Sequence, residues 1–428
     1  MACAVRRLRI RRALPIGCAL AALWPSPAAA SDLRLFTADT FELSGDVRLV
    51  AVDGEKSWLD GGFGKLRYGS DGDLKIHPRL GNSDLVWKPQ FTWSLSATVV
   101  GSVQGGERMQ AGLSQAYLSF RPLRSSSGAS FSARAGLMWP PVSLEHEGAY
   151  WHVADSITPS AINSWIGEEV RPVAAEGTIG ADLGPSKVRA TAAVLAANDT
   201  SGTLLTFRGW ALHDRTTLAF NGWPLPPLDG EIADIQAPFT HPLIDLHGGF
   251  AHRPGYYAKL AWALPIPVRI ELFRYDNLAR PTDMNPDLEW GWRTKFDNVG
   301  LVADLGGGAQ LKAQALQGRT HMGYAMDGAR WVDNRFRSAF ALVTRPFGAF
   351  AVTGRVDAFD TRNSGGIVDE DYDETGWSAM IAGKREWKHL TGLVELLHVS
   401  SRRQDREDFG LAPRQNQTEL EAEVRMRW

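Results

Sequence analysis

Cysteine is almost absent. Its two copies, Cys3 and Cys18, both lie ahead of residue 31, so the chain beyond can hold neither a disulfide nor a cysteine-ligated metal. Also missing is any uncharged apolar run of the roughly 20 residues that a membrane helix needs. No Gly-x-Ser-x-Gly elbow, Walker loop or Rossmann fingerprint occurs, which leaves acyl transfer and nucleotide chemistry without their landmarks. Neither sign of charge dominates: 46 Lys and Arg stand against 48 Asp and Glu, a formal net charge of -2. A balance this even argues against a nucleic-acid binder. Periodic blades of roughly 40 residues, the mark of a propeller, are missing as well.

The N-terminus reads as an export signal. Arg6, Arg7, Arg9, Arg11 and Arg12 form a basic region, Ala13 to Trp24 a short apolar core, and Ala28-Ala29-Ala30 a small-residue cleavage site before Ser31. Residues 1–30 are therefore expected to leave, and 31–428 to form one domain. Removing them takes away five arginines and no acid, so the formal charge moves from -2 to -7. A lipoprotein anchor at Cys18 is the lesser alternative, because Pro15 stands where a lipobox carries Leu.

Strict alternation fills the C-terminus. Leu420, Ala422, Val424, Met426 and Trp428 share one face, and Glu419, Glu421, Glu423, Arg425 and Arg427 the other. A strand has a side-chain period of two, so one face is wholly apolar and the other wholly charged. A transmembrane barrel needs such a strand, with lipid outside and a wet lumen inside. Similar rows recur at Leu43 to Ala51, Phe91 to Val103, Ala116 to Phe120, Phe131 to Leu137, Phe350 to Ala358, Trp377 to Ile381 and Leu390 to Leu396. In the stretch 289–296, Trp290, Trp292, Thr294 and Phe296 are expected outward and Glu289, Arg293 and Lys295 inward. Trp93, Trp290, Trp292, Trp377 and Trp428 fit interfacial girdles. Residues 54–90 and 211–255 are too rich in Pro, Gly and His for firm strands, and 264–267 reads as a turn. Long and short connections alternate, as in an outer-membrane barrel with long outer loops and short periplasmic turns. The expected fold is thus all-β, a transmembrane antiparallel barrel, with sixteen strands favoured and fourteen or eighteen open.

One loop differs in composition. Residues 138–172 combine Trp139, Trp151, Ile162, Trp165 and Ile166 with Glu145, His146, Glu147, Glu168, Glu169 and Arg171. Its aromatics need burial and its charges need water or partners, so it is expected to fold into the lumen and narrow it together with Arg134. Packing on the barrel rim is the alternative. Along the wall, Arg48, Arg293, Lys295, Arg335, Arg337 and Arg355 are the expected lumen cations, countered by residues such as Glu42, Asp46, Glu289, Asp357 and Glu395.

Other chemistry is thinly marked. His241, His247 and His252 share one loop, yet their spacing matches no standard metal site and ordinary hydrogen bonds are the expectation. Asp369 to Glu374 offers hard oxygen ligands but reads as a solvated loop. Ser143 with His146 is the one close nucleophile and base, with no motif around it. No enzyme activity, cofactor or resident metal is expected.

Taken together, Ala116-Tyr117-Leu118-Ser119-Phe120, Ala133-Arg134-Ala135-Gly136 running into Pro140-Pro141 and Ser143-Leu144-Glu145, and the terminal aromatic strand resemble the phosphate-selective porin O/P-like family. The resemblance is clearest over 113–172 and at the C-terminus. It implies a sixteen-stranded barrel of the Gram-negative outer membrane, usually trimeric, with an inward loop at mid-height and passive passage of small hydrophilic solutes or ions. Phosphate selectivity in that family depends on arginine ladders and lysine clusters. The mixed charges inferred here leave anions such as phosphate one option, beside a specific channel for organic anions or sugars and a structural or adhesive barrel with no open pore. The resemblance also implies Trp428 as the assembly signal. Expected partners are the barrel-assembly machinery, outer-membrane lipid and lipopolysaccharide, the solutes themselves and two further copies of the chain, with no nucleic acid.

Overall fold

The computed structural model describes residues 38–70, 73–106, 109–122, 128–326, 328–365 and 372–428. The expected signal peptide and its cleavage point lie outside these, as do Asp369 to Asp371.

Sixteen antiparallel strands close into one barrel. The first seven are β1 (Ala38–Asp53), β2 (Lys75–Gln90), β3 (Leu95–Gln104), β4 (Gln110–Phe120), β5 (Ser130–Leu137), β6 (Val173–Leu183) and β7 (Ser186–Ala197). A loop follows that holds its own small ribbon, β8 (Trp223–Pro224) with β9 (Phe239–Thr240). The barrel resumes with β10 (Tyr256–Ala263), β11 (Val268–Asp276), β12 (Arg293–Gly306), β13 (Ala309–Met326) and β14 (Ala329–Phe347), and ends with β15 (Phe350–Asn363), β16 (Glu374–Glu386), β17 (Leu390–Arg403) and β18 (Arg414–Arg427). Neighbours in space are neighbours in sequence except at two places. β7 pairs β10 across the long loop, and β1 pairs β18 to close the ring, from Ser44 opposite Arg427 to Asp53 opposite Thr418. Beyond β18, Trp428 exchanges two backbone hydrogen bonds of 2.9 Å with Leu43, which seals the seam. With no free edge, every strand can satisfy its backbone inside hydrocarbon.

An aliphatic belt covers the outside. Leu49, Leu85, Leu118, Ile179, Leu272, Val299, Val356, Ile381, Val394 and Val424 all stand exposed on outward positions. On a water-soluble chain such a belt would be an aggregation surface, whereas on a closed barrel it is the lipid contact. In β18 the expected register holds residue by residue, with Glu419, Glu421 and Glu423 buried inward and Leu420, Ala422 and Val424 outward. β1, β15, β16 and β17 follow their expected faces too. The row expected from Phe91 begins as a strand only at Leu95, after a turn.

β12 and β14 overturn the expectation. Trp292, Thr294 and Phe296 point inward and are buried, while Arg293, Lys295 and Asp297 take the other face. Likewise Phe336, Phe340 and Leu342 face the lumen, and Arg335 and Arg337 face outward and are exposed. Trp290, 3% exposed, is no girdle residue, nor is Trp292 at 2%; Trp93, Trp377 and Trp428 are exposed on the outside. The physical reason lies in the lumen, which is not simply wet.

Candidate functional site

Three loop segments from the same end of the barrel fill the interior: 54–70, 138–172 and 198–255. Segment 138–172 leaves β5 at Gly136, where φ is 140° and an added Cβ would lie 2.2 Å from the Ala116 carbonyl oxygen. Only glycine fits that close approach. It then crosses the lumen, tied to wall after wall. Lys259 donates to the Pro141 carbonyl at 2.6 Å, Gln314 brackets Val142 and Leu144 at 3.0 Å, and the Glu395 carboxylate accepts from the Ile157 N–H at 2.7 Å. Asp155 meets Lys384 at 3.0 Å, and Arg425 donates to the Val153 carbonyl at 3.0 Å.

Its helix, α1 (Ala161–Glu169), starts where Ser160 caps the N–H of Asn163. Trp165 sits edge-on to Phe296 and Phe336, each at 5.2 Å between ring centroids. Those contacts invert the polarity of β12 and β14: the helix needs apolar wall, so their inward faces are aromatic and their charges are displaced outward. Burial of Ile162, Ile166 and Phe336 contributes roughly 1.5–3 kcal/mol each.

The acids of this loop are occupied. Glu145 accepts from the Ser160 N–H at 3.0 Å and lies 3.4 Å from the Arg355 guanidinium. Glu168 takes a two-pronged bond from Arg208 at 2.7 and 2.8 Å. Glu169 accepts from the Trp165 indole at 2.8 Å and from the N–H groups of Leu204 and Leu205 at the start of α2 (Thr203–Phe207). Both glutamates end α1, where the macrodipole disfavours them, and these partners offset that cost. Arg171 is buried and forms no ion pair within 4 Å among the described residues, its guanidinium 5.3 Å from the Trp139 ring. His146 stacks on Trp151 at 4.5 Å, and Glu147 is exposed, 3.7 Å from Lys312. Ser143 Oγ accepts the N–H groups of Glu145 and His146, a turn rather than a nucleophile and base.

Arg134 is paired with the barrel wall rather than with an acid of this loop. Its guanidinium binds Glu176 on the next strand through two bonds of 2.7 and 2.8 Å, and Tyr257 donates to the same carboxylate. Arg48 is the wall cation that gathers several acids around it. It meets Asp214 at 2.6 Å, Asp46 at 2.7 Å, Glu423 at 2.9 Å and Glu421 at 3.6 Å. Asp214 belongs to the long loop and also binds Arg67 at 2.7 Å. Next to this knot, Asp46, Asp84, Tyr150, His152, Val153 and Arg425 line a cavity of about 20 Å³. Towards the loop end, Asp60, Arg67, Tyr68, Arg79, Gln110 and Arg215 line another of about 40 Å³. Each holds a few waters at most.

Lys65, Arg67, Arg208 and Asp214 were invisible in the sequence because they sit in segments with no period. Glu176 lies in alternating β6, where the signal was present but unused. Of the expected wall cations, Arg48 and Arg355 face inward, whereas Arg293, Lys295, Arg335 and Arg337 belong to the outer face. The acidic stretch is not a wholly solvated loop: Tyr372 and Glu374 are buried, and Glu374 binds Lys65 at 2.5 Å.

Outside the membrane-spanning strands, His241, His247 and Glu289 bring one ligand atom each within 4.8 Å of one another. His241 shares its Nδ1 with the Glu289 carboxylate at 3.1 Å and stacks on His247 at 4.4 Å. That hydrogen bond raises the His241 pKa, while burial and the charge of His241 lower that of His247. His252 joins Asp245 instead, at 3.6 Å.

No protein-family model matches the sequence, and no curated protein does. Solved structures match in shape. The outer membrane channel DcaP of Acinetobacter baumannii superposes with a TM-score of 0.53 at 12% identity, covering 91% of this chain and 98% of that one. An anion-selective porin from Comamonas acidovorans gives 0.52 at 11% identity, covering 91% and 99%. At such identities the likeness is one of fold, and the fold is the closed sixteen-stranded barrel of outer-membrane porins.

Proposed function

We propose that the protein is a passive channel of the Gram-negative outer membrane, in which solutes pass between the 138–172 loop and the wall formed by β1, β2 and β18. The observation that carries this reading is the polarity of that wall. Asp46, Arg48, Asn82, Asp84 and Arg425 are hydrophilic and face the loop, while the opposite side of the lumen is sealed by Trp165, Phe296 and Phe336. Water and ions follow the polar side because a low-dielectric wall repels them. The loop-end cavity presents Arg67, Arg79 and Arg215 against Asp60, which favours small anions, phosphate among them, at that mouth. The likeness in fold to one porin described as anion-selective supports the same preference, and the family that the sequence resembles suggests a trimer.

The narrowness of the passage favours a second reading, a barrel that stays closed. Planar-bilayer recording separates the two. Single-channel steps in the parent protein, larger after residues 148–156 are replaced by a short Gly-Ser link, are expected of a channel constricted by this loop. Silence in both proteins, with heat-modifiable folding intact, would leave a structural barrel.

A further inference from the structure

The outer face of β11 to β15 carries a charged array that a channel does not need. Arg274, Lys295, Arg319, Arg335, Arg337 and Arg362 all take the side away from the lumen. In register, Lys295 stands opposite Arg319, Arg319 opposite Arg335, and Arg335 opposite Arg362. Four cations therefore lie side by side on adjacent strands, in a row about 14 Å long at roughly 4.8 Å per strand. Like charges directly opposite destabilise a sheet, so such a row needs anions. The protein supplies some: Asp333 pairs with Arg319, and Asp373 holds Arg362 at 3.1 Å. Flanking the row, Asp297 holds Arg274 at 2.8 Å and Asp360 holds Arg337 at 2.6 Å. Lys295, at the β12 end of the row, and Arg335, inside it, have no ion-pair or hydrogen-bond partner among the described residues.

Position identifies the missing anion. Beneath the row the same outward positions turn apolar, with Leu272, Val299, Ala315, Ala339 and Val356. Tyr256, outward on β10, accepts a hydrogen bond from Arg274 at 3.3 Å, as an interfacial aromatic would. The row thus stands where hydrocarbon gives way to headgroups, at the end of the barrel that carries the long loops. We infer that it binds the headgroup phosphates of the outer leaflet, those of lipopolysaccharide. Guanidinium groups take phosphate oxygens in pairs, and a partly desolvated boundary strengthens each charge-assisted bond. The inference rests on the outer-membrane placement proposed above but not on conduction, since a silent barrel would bind lipid equally.

The test is native mass spectrometry of the detergent-extracted, full-length protein titrated with purified lipopolysaccharide. Parent protein should retain the lipid, and a double variant, Lys295→Gln with Arg335→Gln, should bind it at least tenfold more weakly while keeping its β-type circular dichroism and heat-modifiable migration. Arg345→Gln with Arg385→Gln, outward cations at the opposite end of the barrel, should bind like the parent. Equal retention by the Lys295 and Arg335 variant would overturn the proposal. So would full competition by inorganic phosphate at matched concentration, which would make the row a free-anion site, or a changed protomer count in that variant, which would make it a contact between copies.

Discussion

Arg48 on the barrel wall and Asp214 on the 198–255 loop meet at 2.6 Å, and the same carboxylate reaches Arg67 of the 54–70 segment at 2.7 Å. One aspartate thus ties two inward loops to the wall at the level of the narrow passage. Arg48 in turn answers Glu421 and Glu423 of β18, so the knot spans the seam where the first and last strands close the ring.

Asp214→Asn should leave two buried guanidinium groups short of one negative charge. Breaking a buried pair from one side costs about 3–5 kcal/mol, read here as an earlier loss of heat-modifiable migration. The freed positive charge should also move the reversal potential under a salt gradient towards anions, because a narrow passage screens it poorly. Unchanged stability and selectivity would show that the knot neither holds the loops nor borders the path.

Arg134 tests a different link. Its partner is Glu176 rather than the acids of the 138–172 loop, so Arg134→Ala should destabilise by about 3 kcal/mol through an abandoned carboxylate. Arg134→Met with Glu176→Met should recover part of that loss, since no charge is then left unpaired and only the Tyr257 hydroxyl loses its acceptor. A chemical-denaturation series in detergent reads both. If the double variant is no more stable than the single one, the pair is not the reason for the loss.

The strands were legible wherever one face met lipid and the other met charge. β18 is the clearest instance, because Glu419, Glu421 and Glu423 all point inward, the last two onto Arg48, so the simple rule of apolar outside and polar inside applies. On β12 and β14 the rule reverses above the belt. Trp165 demands Phe296 and Phe336 as neighbours, and nothing local in the sequence says that a helix from a distant loop will lie against those strands. The inward course of 138–172 could be read from its mixture of Trp and Glu, which no solvated loop requires. The partners of its acids could not: Arg208 stands in a segment with no periodicity, and Arg355 was expected in the lumen without any indication of what it would meet.

Lipid-facing positions should reject charge. Val356, outward on β15 and 59% exposed, sits within the aliphatic belt, and Val356→Arg should cost about 2–4 kcal/mol if it lies near the midplane. Arg337→Val, on the same outer face but at the headgroup level, should assemble with little loss. Urea titration of the barrel in lipid vesicles gives both numbers. Equal costs at the two positions would show that the belt does not end between Ala339 and Arg337.

Acid and base should act on the outer loops through His241 and Glu289. The hydrogen bond to Glu289 raises the His241 pKa, so its stabilisation is complete below the unfolded imidazole value of about 6.5 and fades as pH rises through the higher folded value. Glu289 is pushed up by burial but held below the usual carboxyl range by His241 and Asn285, so its share is lost as pH falls through that depressed value. The contact is therefore strongest from above the unfolded carboxyl value of about 4.3 to below about 6.5. Trp290, next to Glu289 and packed on Trp331 at 5.2 Å, should report it: the midpoint of local thermal unfolding, followed by its fluorescence, should be highest near pH 5.5 and decline towards pH 8. His241→Ala should flatten that profile, whereas His252→Ala, which removes only the contact with Asp245, should retain it. A parent profile that rose towards pH 8 would mean that the imidazole is neutral when bound and that the sign of this coupling is wrong.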